Sequence, residues 1–163
     1  MPQFEYTKEL PSADINRDLL IEINNFLNHQ IAFTTENWTT DNSQPIVESK
    51  FVISDDIGDE TFSQVDEYQS NSFSNSVKRI VIQKSSWLNS DNQINIRIVF
   101  DKDRRYSQAN IMASLEGARS FVVGTMDEIF TRINRYGNRN WVFHPPNAIE
   151  GVITGLAIPF PLV

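Results

Sequence analysis

The chain has 163 residues, 40% hydrophobic and 11% aromatic, which suits one domain with a substantial core and excludes wholesale disorder. A net charge of -7 and a pI near 4.8 argue against general nucleic-acid binding, because phosphate contacts need a basic face. Cysteine is absent, which removes disulfides, thiolate nucleophiles and zinc–thiolate sites.

The first predicted element is a helix over residues 12–31. Ile15, Leu19, Ile23, Phe26, Leu27 and Ile31 recur at helical spacing, with polar Asn16, Arg17, Glu22 and Asn25 between them. Ser12 or Asp14 serves as its N-cap and Pro11 stands just outside. Residues 34–49, rich in Thr, Asn, Asp and Ser, read as a connector. Lys50–Ser54 is a short strand, and residues 55–76 read as an acidic, mobile loop holding a weak strand around Phe62, Val65 and Tyr68.

Three stronger strands follow. Val77–Lys84 contains Ile80, Val81 and Ile82. Gln93–Phe100 sets Ile94, Ile96, Ile98 and Phe100 on one face against Asn95, Arg97 and Val99. Ser107–Leu115 aligns Ala109, Ile111, Ala113 and Leu115. This period of two indicates a sheet with one face covered, and the short polar links at 86–92 and 101–106 predict an antiparallel meander. A second helix, about Ala118–Tyr136, carries an apolar stripe of Val122, Met126, Ile129, Phe130 and Ile133, with Gly137 at C′. The predicted fold is a two-layer α+β sandwich: an antiparallel sheet of three to five strands with two helices on one face. Residues 1–150 form a single domain, followed by an apolar tail at 151–163.

Charge is distributed unevenly. Residues 1–75 balance at -11 and residues 76–163 at +4, so the halves are either complementary within the fold or a means of orienting it on a partner or membrane. The N-terminus lacks a basic region followed by an apolar core, and with no secretory signal the expected placement is cytoplasmic. His29 and His144 are the only imidazoles, and both read as structural; no Gly-x-Ser-x-Gly elbow surrounds a serine. The Asp55–Glu60 run lacks the ligand order of a calcium loop and reads as a solvated acidic loop. Asp101-Lys102-Asp103 reads as a turn between strands. No metal or cofactor is implied.

From Trp141 onward only Glu150 is charged, and Arg132, Arg135 and Arg139 stand immediately before this stretch. Basic residues ahead of an apolar tail obey the positive-inside rule, which predicts a soluble domain at the cytoplasmic face of a membrane, with these arginines membrane-proximal. The other reading makes Val152–Ile158 a terminal strand that covers a sheet edge or joins a dimer.

The leading functional expectation is a non-enzymatic cytoplasmic interaction module, the soluble domain of a membrane-attached protein, acting on a protein partner. Trp38, Trp87 and Trp141 are its candidate contacts. The rival is a small-ligand-binding protein or enzyme with a pocket between helix and sheet, whose first polar groups are Arg97, Arg119 and His144. In size, acidic pI and order of elements the chain is also similar to the small acidic secretion chaperones, although it lacks their final helix. That resemblance implies a homodimer.

Overall fold

The computed structural model describes residues 2–38, 43–68 and 76–137. In chain order the elements are β1 (Gln3–Glu9), α1 (Arg17–Thr35), β2 (Ile46–Ser54), β3 (Asp59–Phe62), β4 (Arg79–Asn89), β5 (Asn92–Asp101), β6 (Gln108–Ser114) and α2 (Ala118–Arg135). Single 3-10 turns lie at Val65–Glu67 and Arg104–Tyr106. The strands form one six-stranded antiparallel sheet in the order β1-β6-β5-β4-β2-β3, and the two helices pack on it. The fold is therefore α+β, with six strands in place of the expected three to five.

The strand missing from the sequence reading is β1. Its side chains are mostly exposed because it is an edge strand, so it carries no apolar run to announce it. Its pairing with β6 runs from Gln3 opposite Ser114 to Glu9 opposite Gln108. The second extension is β4, which continues past Lys84 to Asn89. Its polar end is held by β2 on one side and β5 on the other, then by a turn in which the Asn89 side chain accepts from Asp91 N and Asn92 N. Ladder pairing on both sides overrides the weak apolar signal of Ser85 and Ser86.

The core collects one row of side chains from each inner strand and one stripe from each helix. Ile94, Ile96 and Ile98 of β5, Ile111 of β6, Leu19, Ile23 and Leu27 of α1, and Val122, Met126 and Ile129 of α2 are all fully buried in one cluster. Each such side chain contributes about 1.5–3 kcal/mol of burial. The expected alternation of β5 holds: Arg97 points the other way and is exposed.

Helix α1 starts later than expected, at Arg17, because Asn16 is the N-cap: its Oδ1 accepts from Leu19 N at 3.0 Å. Asp14 has a different task, since its backbone N–H donates to Tyr136 O at the far end of α2. Helix α2 follows its expected span. Gly117, with φ +73°, turns the chain from β6 into it, a left-handed conformation that glycine adopts without steric cost. Gly137 occupies C′, where a Cβ would lie 3.0 Å from Asn134 O.

The two acidic segments are turns. Asp55 Oδ1 accepts from Ile57 N and Gly58 N, joining β2 to β3, and Asp56 pairs with Lys78 at 2.5 Å. Asp101 pairs with Arg79 across β4 and β5, and Asp103 with Arg105. Within 55–76, Asp59–Phe62 is a paired strand and Phe62 packs against Phe51 and Tyr68, while residues 69–75 lie outside the described residues. The same is true of His144, Arg139, Trp141 and the tail at 151–163. No helix among the described residues is long and apolar enough to cross a membrane.

Candidate functional site

The site begins with a mismatch in strand length. Pro45, which has no N–H to donate, precedes β2, which then runs for nine residues. Its outer neighbour β3 has only four and pairs with Phe51–Ser54 alone. β3 stops because Ser63 N turns to the Glu67 carboxylate at 3.1 Å and the chain enters the Val65–Glu67 turn. Among the described residues no strand pairs with the outer side of Ile46–Lys50, which leaves backbone N–H and C=O groups facing outward there.

The pleat sends Ile46, Glu48 and Lys50 to the open face and Val47 and Ser49 to the covered face, the one on which Phe51 and Ile53 enter the core. Ile46 is 53% and Val47 55% exposed, one on each face of the strand. Beside Ile46 in register lies Trp87. On the open face Trp87 joins Ser85, Asn89, Gln93 and Asn95 around a concavity of about 550 Å³.

On the covered face, Ser49 stands opposite Lys84 and Val47 opposite Ser86. Lys84 is only 2% exposed, and its ammonium donates to Ser49 Oγ at 2.8 Å. Burial lowers its pKa to about 8. Ser86, on the same face of β4, is fully buried, and among the described residues its hydroxyl finds no hydrogen-bond partner. A buried cation with one neutral acceptor, beside an unsatisfied hydroxyl, is poorly solvated by the protein itself.

A second concavity, of about 400 Å³, lies between the helices and is lined by Phe26, Gln30, Phe121, Gly124, Thr125 and Asp127 among others. Thr125 is 1% exposed and its hydroxyl is also without a partner among the described residues. Gly124 faces this groove, and a Cβ there would meet nothing within 4 Å.

Among the described residues, those singled out from sequence lie apart from one another. Arg97 is on the open sheet face in the row Asn110–Arg97–Gln83–Lys50, whereas Arg119 is on α2 with its guanidinium 5.8 Å from the Phe4 ring. The alternation of β5 is what separates them. Arg132 and Arg135 join the helices: Arg135 meets Glu22 at 3.0 Å, Tyr136 Oη donates to the same carboxylate at 3.1 Å, and Arg132 pairs with Glu128 and stacks on Phe26. His29 is exposed on α1, and Trp38 is half-buried against the core. No group of three or more His, Asp or Glu residues is placed to hold a metal among the described residues.

The sequence did contain a signal for Lys84. Within the expected strand 77–84, the same period that buries Ile80 and Ile82 puts Lys84 on the covered face. Ser49 was hidden because residues 34–49 read as a connector. No family model, curated protein or solved structure matches this chain, so its function rests on the geometry of the site.

Proposed function

We propose that this protein is a non-enzymatic contact module that adds an extended segment of a protein partner to the outer edge of Ile46–Lys50. The carrying observation is the five-residue stretch of β2 that outruns β3 while exposing Ile46 and Val47. Strand addition takes its affinity from backbone hydrogen bonds and its selectivity from alternate side chains. Here Ile46 and Trp87 meet one set of those side chains and Val47 and Ser49 the other. Both helices on one face of a two-layer sandwich leave this corner of the sheet for the partner.

The test is backbone amide exchange of the full chain with and without the peptide acetyl-Thr-Glu-Thr-Val-Val-amide or its Gln form. Antiparallel to β2, its five residues stand opposite Lys50, Ser49, Glu48, Val47 and Ile46. Protection gained at residues 46–50 supports the reading; no gain with either peptide overturns it. A dimeric mass in light scattering, with these amides already protected, also overturns it, since a second copy then holds the edge.

A second reading draws on the groove between α1 and α2. Its aromatic walls Phe26 and Phe121 suit a small apolar ligand. Replacing Gly124 by Leu fills that groove, so loss of uptake of a hydrophobic dye in Gly124→Leu alone would favour it.

A further inference from the structure

The geometry points to a requirement on the partner, resting on the edge reading above: the residue that stands opposite Ser49 on the added strand is acidic, and its carboxylate takes the Lys84 ammonium.

The register argues for it. On the covered face one row runs Ile111, Ile96, Lys84, Ser49 across four neighbouring strands, and the next place in that row belongs to the incoming strand. Neighbouring strands lie about 4.8 Å apart. The Lys84 side chain already leans along the row toward the free edge, because its ammonium reaches the Ser49 hydroxyl at 2.8 Å. Directly opposed residues have Cβ atoms about 5 Å apart. A carboxylate opposite Ser49 therefore comes within reach of the ammonium with no rearrangement of β2 or β4.

Chemistry argues for it too. An ammonium at 2% exposure with a single hydroxyl acceptor has two N–H donors left over. Transfer of such a group from water is costly unless an opposite charge joins it. No ion pair to Lys84 exists among the described residues, so a carboxylate on an added strand would meet a charge that they leave uncompensated.

A second copy of the edge cannot supply it. Residues 46–50 present only Val47 and Ser49 on the covered face, and Glu48 points to the open one. A different chain, with an acid in the right register, is what fits. Because this protein carries a net charge of -7, the rest of that segment is best neutral or basic.

The experiment compares dissociation constants of acetyl-Thr-Glu-Thr-Val-Val-amide and acetyl-Thr-Gln-Thr-Val-Val-amide for the full chain and for Lys84→Met. The expected result is that the Glu peptide binds the native chain about tenfold or more tightly than the Gln peptide, as a buried charge-assisted hydrogen bond implies. Lys84→Met should erase that ratio. Should Lys84→Met fail to fold, side-chain NMR of Lys84 in the native chain replaces it: the ammonium resonances shift with the Glu peptide and stay with the Gln one. Equal affinities with protected edge amides overturn the acidic requirement and leave the edge reading standing. Absence of protection with both peptides overturns the edge reading, and this inference with it.

Discussion

The Lys84 ammonium and the Ser49 hydroxyl, 2.8 Å apart on the covered face of the sheet, form an ion's half-built coordination shell in a place that water barely reaches. Strand β4 is ordinarily apolar there, with Ile80 and Ile82 on the same face. Lysine in that row lowers stability, and its presence asks for a use.

The cost depends on pH. Lys84 has a pKa of about 8 in the folded chain against 10.5 when free. Between those values the unfolded chain holds a proton that the folded chain has released, so stability rises with pH across this window, and below about pH 8 the penalty is present in full. Its size is roughly 3 kcal/mol. In urea unfolding, Lys84→Met should be the more stable protein at pH 7, by about 1–3 kcal/mol. The gap should shrink by about 2 kcal/mol on moving to pH 9.5. An equal gap at both pH values would contradict the assignment.

The open edge should be separable from stability. Ile46 is 53% exposed, so Ile46→Asp is expected to change unfolding free energy by less than about 1 kcal/mol. The same change should weaken peptide protection of residues 46–50 severalfold, because it places a charge beside Trp87. Chemical denaturation and amide exchange on one sample check both halves.

Two glycines of α2 should respond in opposite directions. Gly124 is in the helix interior with open space where a Cβ would go, so Gly124→Ala should stabilise by about 0.5–1 kcal/mol. Gly117 has φ +73°, so Gly117→Ala should destabilise by about 1–2 kcal/mol. Thermal unfolding of the two variants side by side tests the pair.

Glu22 of α1 gathers Arg135 at 3.0 Å and the Tyr136 hydroxyl at 3.1 Å from α2. Because the Arg135 side chain is largely exposed, Glu22→Ala should cost only about 1 kcal/mol. Added salt should narrow the difference between native and variant proteins.

Period-two and helical patterns revealed the meander β4–β5–β6 and helix α2, where each inner strand has one face in the core. They missed β1, since an edge strand on which Phe4 is only partly buried shows little periodicity, and they began β2 four residues late. The polar side chains of Glu48 and Ser49 look like connector until β4 is seen pairing with them. For the same reason the candidate site was barely legible. Its residues are polar, scattered over two strands, and brought together only by register. Of the arginines that did stand out, Arg132 and Arg135 bridge the two helices and Arg97 lies on the open face in the row with Gln83 and Lys50.

The placement of β1 has a kinetic consequence. Asn110 Nδ2 donates to Glu5 across 105 positions of chain, within the β1–β6 strand pair. Closing so long a loop is slow compared with forming the β4–β5 hairpin. During synthesis the first strand must therefore wait for almost the entire described chain to emerge. Until it docks, β6 offers a bare edge from Gln108 to Ser114. Self-association during refolding should accordingly be governed by how fast this first segment finds its place, rather than by the stability of the finished sheet.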